Sequence, residues 1–87
     1  MLLVVDFSDL RLEFDQTDIR LDSRADFTVG KLINKLCDGI EEIGQTKIHN
    51  KSMLDLLNPK RNLIDPTSKV NDISLNDWDT IYIVRRS

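Results

Sequence analysis

The chain holds one cysteine, one histidine and three glycines in 87 residues, and each scarcity removes a class of chemistry. A lone thiol, Cys37, excludes an internal disulfide and any metal or iron–sulfur site built from several cysteines. The lone imidazole, His49, lies in a polar stretch with no serine or cysteine placed beside it for nucleophilic catalysis, and reads as a solvated loop side chain. Gly30, Gly39 and Gly44 are too dispersed to form a phosphate-cradling loop. Positive charge is also short: 12 basic against 15 acidic residues leave a net charge of −3. Nucleic acid requires a basic stripe, and a cationic membrane-surface helix needs the same surplus. No apolar run approaches the roughly 18–20 residues of a membrane span. The opening MLLVVDF is interrupted by Asp6, lacks a basic leader and a small-residue cleavage site, and is not a signal peptide. Neither nucleic-acid binding nor direct membrane insertion is expected, and a cytoplasmic setting is the default.

The acidic residues are spread as single positions, without the spacing of a metal site or an acid–base pair. Asp65, Asp72, Asp77 and Asp79 cluster late in the chain, where turn and cap roles account for them. No catalytic residue, no cofactor and no metal ligand emerges, and an enzyme is not expected.

What is present is a helix with a continuous apolar stripe. Across FTVGKLINKLCDGIEEIG, Val29, Leu32, Ile33, Leu36, Cys37, Ile40 and Ile43 recur with the 3.6-residue period, while Lys31, Asn34, Lys35, Asp38, Glu41 and Glu42 occupy the opposite face. Thr28 is placed as an N-cap. Phe27 and Leu32 have the spacing of a hydrophobic staple, and Gly44 is expected to end the helix in a left-handed conformation. Cys37, on the apolar stripe, is expected to be a buried, inert thiol.

The flanking segments read as strands. In residues 1–7, an outward Asp6 puts Leu3, Val5 and Phe7 in the core and Leu2 and Val4 outside. Ser8 to Gln16 continues that strand or turns. Thr17 to Asp22 alternates, with Ile19 and Leu21 inward. Ser52 to Leu57 reads as a third strand, with Leu54 and Leu56 inward and Met53, Asp55 and Leu57 outward. Asn58 to Arg61 is a turn with Pro59 at its second position. Asn62 to Ile64 is a very short strand ended by Asp65-Pro66. Val70, Ile73 and Leu75 anchor a compact stretch. Thr80 to Val84 is the last strand, with Ile81 and Ile83 on one side and Tyr82 and Val84 on the other. One domain spanning residues 1–87 is about what this length can build.

The order strand, strand, helix, strand, short strand, strand resembles the β-grasp, or ubiquitin-like, fold. That fold is α+β, with a mixed sheet of four to five strands and one long helix packed on one face. The resemblance implies a parallel pairing of the first and last strands at the sheet centre. Within that superfamily the chain is similar to the YukD/EsaB group of small ubiquitin-like proteins associated with bacterial type VII (WXG100) secretion, and to the ubiquitin-like domain of that system's membrane component. The likeness rests on DIRL (Asp18 to Leu21), the helix start TVGKLI, and NLIDPTSKVNDISLNDWDTIYIV. It departs where the family usually has Gly-Asp before the last strand and this chain has Trp78-Asp79, so either the turn differs or Trp78 has a surface role. Conjugating and sulfur-carrying relatives act through a C-terminal diglycine. This sequence ends Val84-Arg85-Arg86-Ser87 with no paired glycines, so conjugation and sulfur transfer are not expected. The β-grasp ferredoxins need four cysteines.

In the strand order that the resemblance implies, the first, last and third strands are neighbours. Leu2, Val4, Met53, Leu57, Tyr82 and Val84 then share the face away from the helix, where a water-facing sheet should be polar. Ubiquitin-like proteins commonly bind through that face. The resemblance thus implies a protein partner, expected to be a type VII secretion component, docked there with Arg20, Trp78, Arg85 and Arg86 as a rim. The chain would be an accessory or regulatory module of that system. A homodimer through the same face is the variant reading.

Overall fold

The computed structural model describes residues 1–22 and 25–86. Strand β1 (Leu2–Asp6) is followed by a 3-10 turn at Ser8–Leu10 and by β2 (Gln16–Arg20). Helix α1 (Val29–Gly44) comes next. A 3-10 turn at Lys51–Met53 then leads into β3 (Leu54–Leu57), and another at Val70–Asp72 precedes β4 (Thr80–Arg85). The four strands form one sheet in the order β2-β1-β4-β3. β1 runs antiparallel to β2 and parallel to β4, and β3 is antiparallel to β4. A hairpin, a helix crossing one face, and a central parallel pair of first and last strands define the β-grasp arrangement.

The inward residues expected of the first, third and last strands are realised. Leu3 and Val5 from the first strand, Phe7 just past its end, Leu54 and Leu56 from the third, and Ile81 and Ile83 from the last are all buried. They pack with Val29, Leu32, Ile33, Leu36, Cys37 and Ile40 of α1 into one apolar cluster. Ile48, Ile64 and Val70 close its margins.

The helix entry shows how the chain between Pro66 and Val70 is used. Thr28 accepts from the Lys31 N–H through its hydroxyl at 3.3 Å. The Val29 and Gly30 N–H groups donate instead to the carbonyls of Ser68 (2.8 Å) and Pro66 (2.9 Å). Leu32 then makes the first regular bond, to the Thr28 carbonyl. Every donor of the first turn, which no helix can satisfy internally, thus has a partner.

Several expectations are corrected. Ile43 lies on the apolar stripe but is 65% exposed. A 16-residue helix runs about 24 Å, whereas strands of four to six residues reach only about 13–20 Å, so the stripe outruns the sheet. Gly44 is not left-handed; the left-handed residue is Gln45, φ 48°, whose N–H returns to the Glu41 carbonyl. Glycine is needed at 44 because a Cβ there would stand 2.7 Å from a ring carbon of Phe14.

Ser52 and Met53 belong to a 3-10 turn, not to a strand. The reason lies just upstream. Glu41 accepts from the Ile48 N–H at 2.8 Å and from the Lys51 ammonium at 2.6 Å, which curls the loop against the helix before β3 can begin. Asn62 to Ile64 makes only an isolated bridge, Leu57 with Leu63. Asn58 takes the Lys60 and Asn62 N–H groups on its side-chain oxygen, both at 2.9 Å, and Asp65 takes the Thr67 N–H at 2.8 Å. Turns on both sides leave no room for a ladder.

Candidate functional site

The sheet surface opposite α1 is assembled by register. On β1, Leu2 stands beside Arg20 and Val4 beside Asp18. On the other side Val4 neighbours Thr80 and Asp6 neighbours Tyr82. Tyr82 in turn neighbours Leu57, and Val84 neighbours Asp55. Five of the six apolar residues expected on this face, Leu2, Val4, Leu57, Tyr82 and Val84, are therefore brought together there, each partly exposed. Met53 is at the margin, carried by the turn before β3, where its carbonyl accepts from the Arg86 N–H at 2.7 Å and its side chain is 43% exposed.

The face is an apolar band crossed by polar groups. Asp55 sits between Met53 and Leu57 in sequence and holds Arg86 by two bonds, Nη2 to Oδ1 at 2.6 Å and Nε to Oδ2 at 3.2 Å. This bidentate pair has the geometry that makes guanidinium–carboxylate contacts strong. Arg86 holds the Asp55 carboxyl below the usual carboxylate range, against the opposing effect of burial. The guanidinium of Arg61 lies over the Tyr82 ring, 4.4 Å from its centroid, a cation–π contact.

The expected rim is realised in part. Arg20 flanks Leu2, and Arg86 is on the face through Asp55. Arg85 is not: it shares the alternation of Ile81 and Ile83, its N–H donates to Asp9 at 2.8 Å, and its guanidinium donates to the His49 carbonyl at 2.8 Å. Trp78 occupies the turn before β4 in a left-handed conformation, φ 68°, and is 61% exposed. The turn geometry that glycine would ease is therefore kept, with a tryptophan in it.

Two residues of this surface are not singled out by the sequence. Arg61 lies in a turn whose folding back over Tyr82 is a tertiary event. Leu63, 63% exposed, bridges antiparallel to Leu57 and so extends the same face. Directly opposed residues in an antiparallel pair point the same way, so pairing Asn62 to Ile64 with the third strand would have found it.

Elsewhere the chemistry is structural. Cys37 is fully buried in the core, and burial pushes its thiol pKa up. Among the described residues no three His, Cys, Asp or Glu side chains are grouped to hold a metal, and no helix is long and apolar enough to cross a membrane.

No family model and no curated protein matches the sequence. Solved structures do match the fold. The chain is similar to Caldiarchaeum subterraneum ubiquitin, with 15% identity, a TM-score of 0.70, and coverage of 100% of this chain and 94% of that one. It is similar to a protein reported under "Molecular mimicry of SUMO promotes DNA repair", with 21% identity, a TM-score of 0.68, and coverage of 97% and 89%. It is also similar to the UBL domain of Plasmodium falciparum Dsk2, with 14% identity, a TM-score of 0.65, and coverage of 98% and 96%. The fold is ubiquitin-like.

Proposed function

We propose that this chain, as a single domain over residues 1–87, is a non-conjugating ubiquitin-like interaction module that docks protein partners on the outer face of its sheet. The observation that carries this reading is that Leu2, Val4, Leu57, Tyr82 and Val84 share the sheet face away from α1, with Met53 at its margin and Leu63 added by its bridge to Leu57. A water-facing sheet gains nothing by displaying such a band, whereas a docking surface needs an apolar centre with polar groups at its border. Arg86, Arg61 and Arg20 supply that border, and Trp78 adds an exposed aromatic of the kind enriched in binding hot spots. In this reading the module is non-enzymatic.

The finer reading, an accessory or regulatory component of a bacterial type VII secretion apparatus in the cytoplasm, rests on the resemblance carried by the DIRL, TVGKLI and NLIDPTSKVNDISLNDWDTIYIV segments. The test is affinity capture with wild type and with Tyr82→Asp, a partly exposed position on the sheet face away from the core. Recovery of a type VII component by wild type and its loss with Tyr82→Asp, at unchanged thermal unfolding, is the expected result. Equal recovery by both would remove the face from the mechanism. Adenylation of the chain by an activating enzyme would favour a carrier role instead.

A further inference from the structure

The edge of the sheet at β2 is open: β2 is the outermost strand, paired with β1 alone among the described strands. Which of its backbone groups point outward follows from the bonds it already makes. Leu21 exchanges bonds with Met1 in both directions, N–H to carbonyl at 2.8 Å and amine to carbonyl at 3.1 Å. The Asp15 carbonyl accepts from Phe7 at 2.7 Å. Odd-numbered residues therefore face β1, and Gln16, Asp18 and Arg20 turn their N–H and C=O groups outward. Such a row is a template for another strand.

We propose that the occupant of this edge is β2 of a second copy, paired antiparallel about a two-fold axis through Ile19. In that register residue 18 meets residue 20 of the other copy, and 20 meets 18. Both are outward-bonding positions, as an antiparallel hydrogen-bonded pair requires. Their side chains are of opposite charge and both exposed. Neither has an ion-pair partner among the described residues. The edge is thus self-complementary twice over, each Asp18 facing an Arg20, which is what an isologous two-fold contact demands. On the helix side, Ile19 meets its own copy beside the open groove of about 310 Å³ between β2 and α1, lined by Leu21, Phe27, Leu32 and Leu36. The apolar docking residues of β1, β4 and β3 stay free, with Arg20 of their border taken into the seam, so the dimer would present that face twice on one continuous sheet.

The pairing predicts its own rescue. Asp18→Arg would set two arginines against each other at each crossing, and Arg20→Asp would set two aspartates there. Like charges directly opposite destabilise a strand pair, and with two such pairs per dimer each variant should weaken self-association by about tenfold or more. The double variant Asp18→Arg/Arg20→Asp restores both pairs in exchanged order, and an equimolar mixture of the two single variants restores them between different chains. Sedimentation equilibrium from micromolar to millimolar concentration reads all four, with circular dichroism confirming that each variant folds. Wild-type dimerisation, loss in each single variant, and recovery in the double variant and in the mixture are the expected results. A wild type that stays monomeric throughout would overturn the proposal. So would a dimer indifferent to both charge changes, or one abolished by Tyr82→Asp, which would place the contact on the outer face.

Discussion

Trp78 donates its backbone N–H to the Leu2 carbonyl across 2.7 Å from a left-handed conformation, φ 68°. The bond ties the turn before β4 to the start of β1, and Val4 completes the tie by donating to the Asp79 carbonyl at 2.9 Å. A non-glycine residue in that region bears about 1–2 kcal/mol of steric cost. Glycine would relieve it while losing about 0.5–1 kcal/mol through its freer unfolded chain. Trp78→Gly should therefore leave stability within about 1 kcal/mol of wild type, and Trp78→Val should fall below both, since a branched Cβ worsens the clash. Denaturant unfolding of the three proteins checks the order. Partner affinity should fall with Trp78→Gly even though stability does not, if the exposed ring belongs to the docking rim.

The helix glycines separate propensity from packing. Gly39 has no heavy atom within 4 Å of where a Cβ would stand, whereas at Gly44 that Cβ would come within 2.7 and 3.1 Å of the Phe14 ring. The ring is itself held edge-on against Phe7, with centroids 5.2 Å apart. Gly39→Ala should stabilise by about 0.5–1 kcal/mol, the propensity difference alone. Gly44→Ala should instead destabilise by about 1–3 kcal/mol, as overpacking does. Paired melting curves decide it, and stabilisation by both would show that Phe14 moves aside at little cost.

Acid should weaken the fold through carboxylates that the folded state holds ionised, two of them against a cation and a third, Asp65, through its bonds from Thr67. Arg86 lowers the Asp55 pKa, and the Lys51 ammonium, then the Ile48 N–H, lower that of Glu41. A depressed folded pKa gives stability that is complete above the unfolded values of about 3.9 and 4.3. That stability is lost as pH falls through the lower folded values. Asp55→Asn and Glu41→Gln should each flatten the fall in melting temperature below about pH 4.5, while leaving its sign unchanged. A slope identical to wild type in both variants would mean that other carboxylates govern it.

What can be read from the residues alone follows the range of the forces involved. Alternation places Leu3, Val5, Leu54, Leu56, Ile81 and Ile83 inside, because a strand's two faces are a local property. The helix and its Thr28 cap are legible for the same reason. The parallel pairing of β1 with β4 comes only through resemblance, since nothing in either strand encodes a partner more than seventy residues away. The role of Gly44 is hidden from a local reading because it depends on Phe14, thirty residues earlier. The candidate face is legible as a set of outward positions. Its fine structure is not: the Arg86 clamp on Asp55, the Arg61 cap on Tyr82 and the addition of Leu63 are all made by segments folding back onto the sheet. Charge alone assigns Arg85 to the rim, but its place in the alternation, one residue past Val84, turns it to the other side.

The central claim is that partners bind on the sheet surface away from α1. Amide NMR spectra of the isotope-labelled chain, recorded while a partner recovered by affinity capture is added, test it most directly. The account predicts shifts at Val4, Leu57, Tyr82 and Val84 and at the bordering Arg86, with Lys31, Asn34 and Glu42 on the exposed side of the helix unmoved. Shifts confined to that helical side, with the sheet residues unchanged, would contradict it.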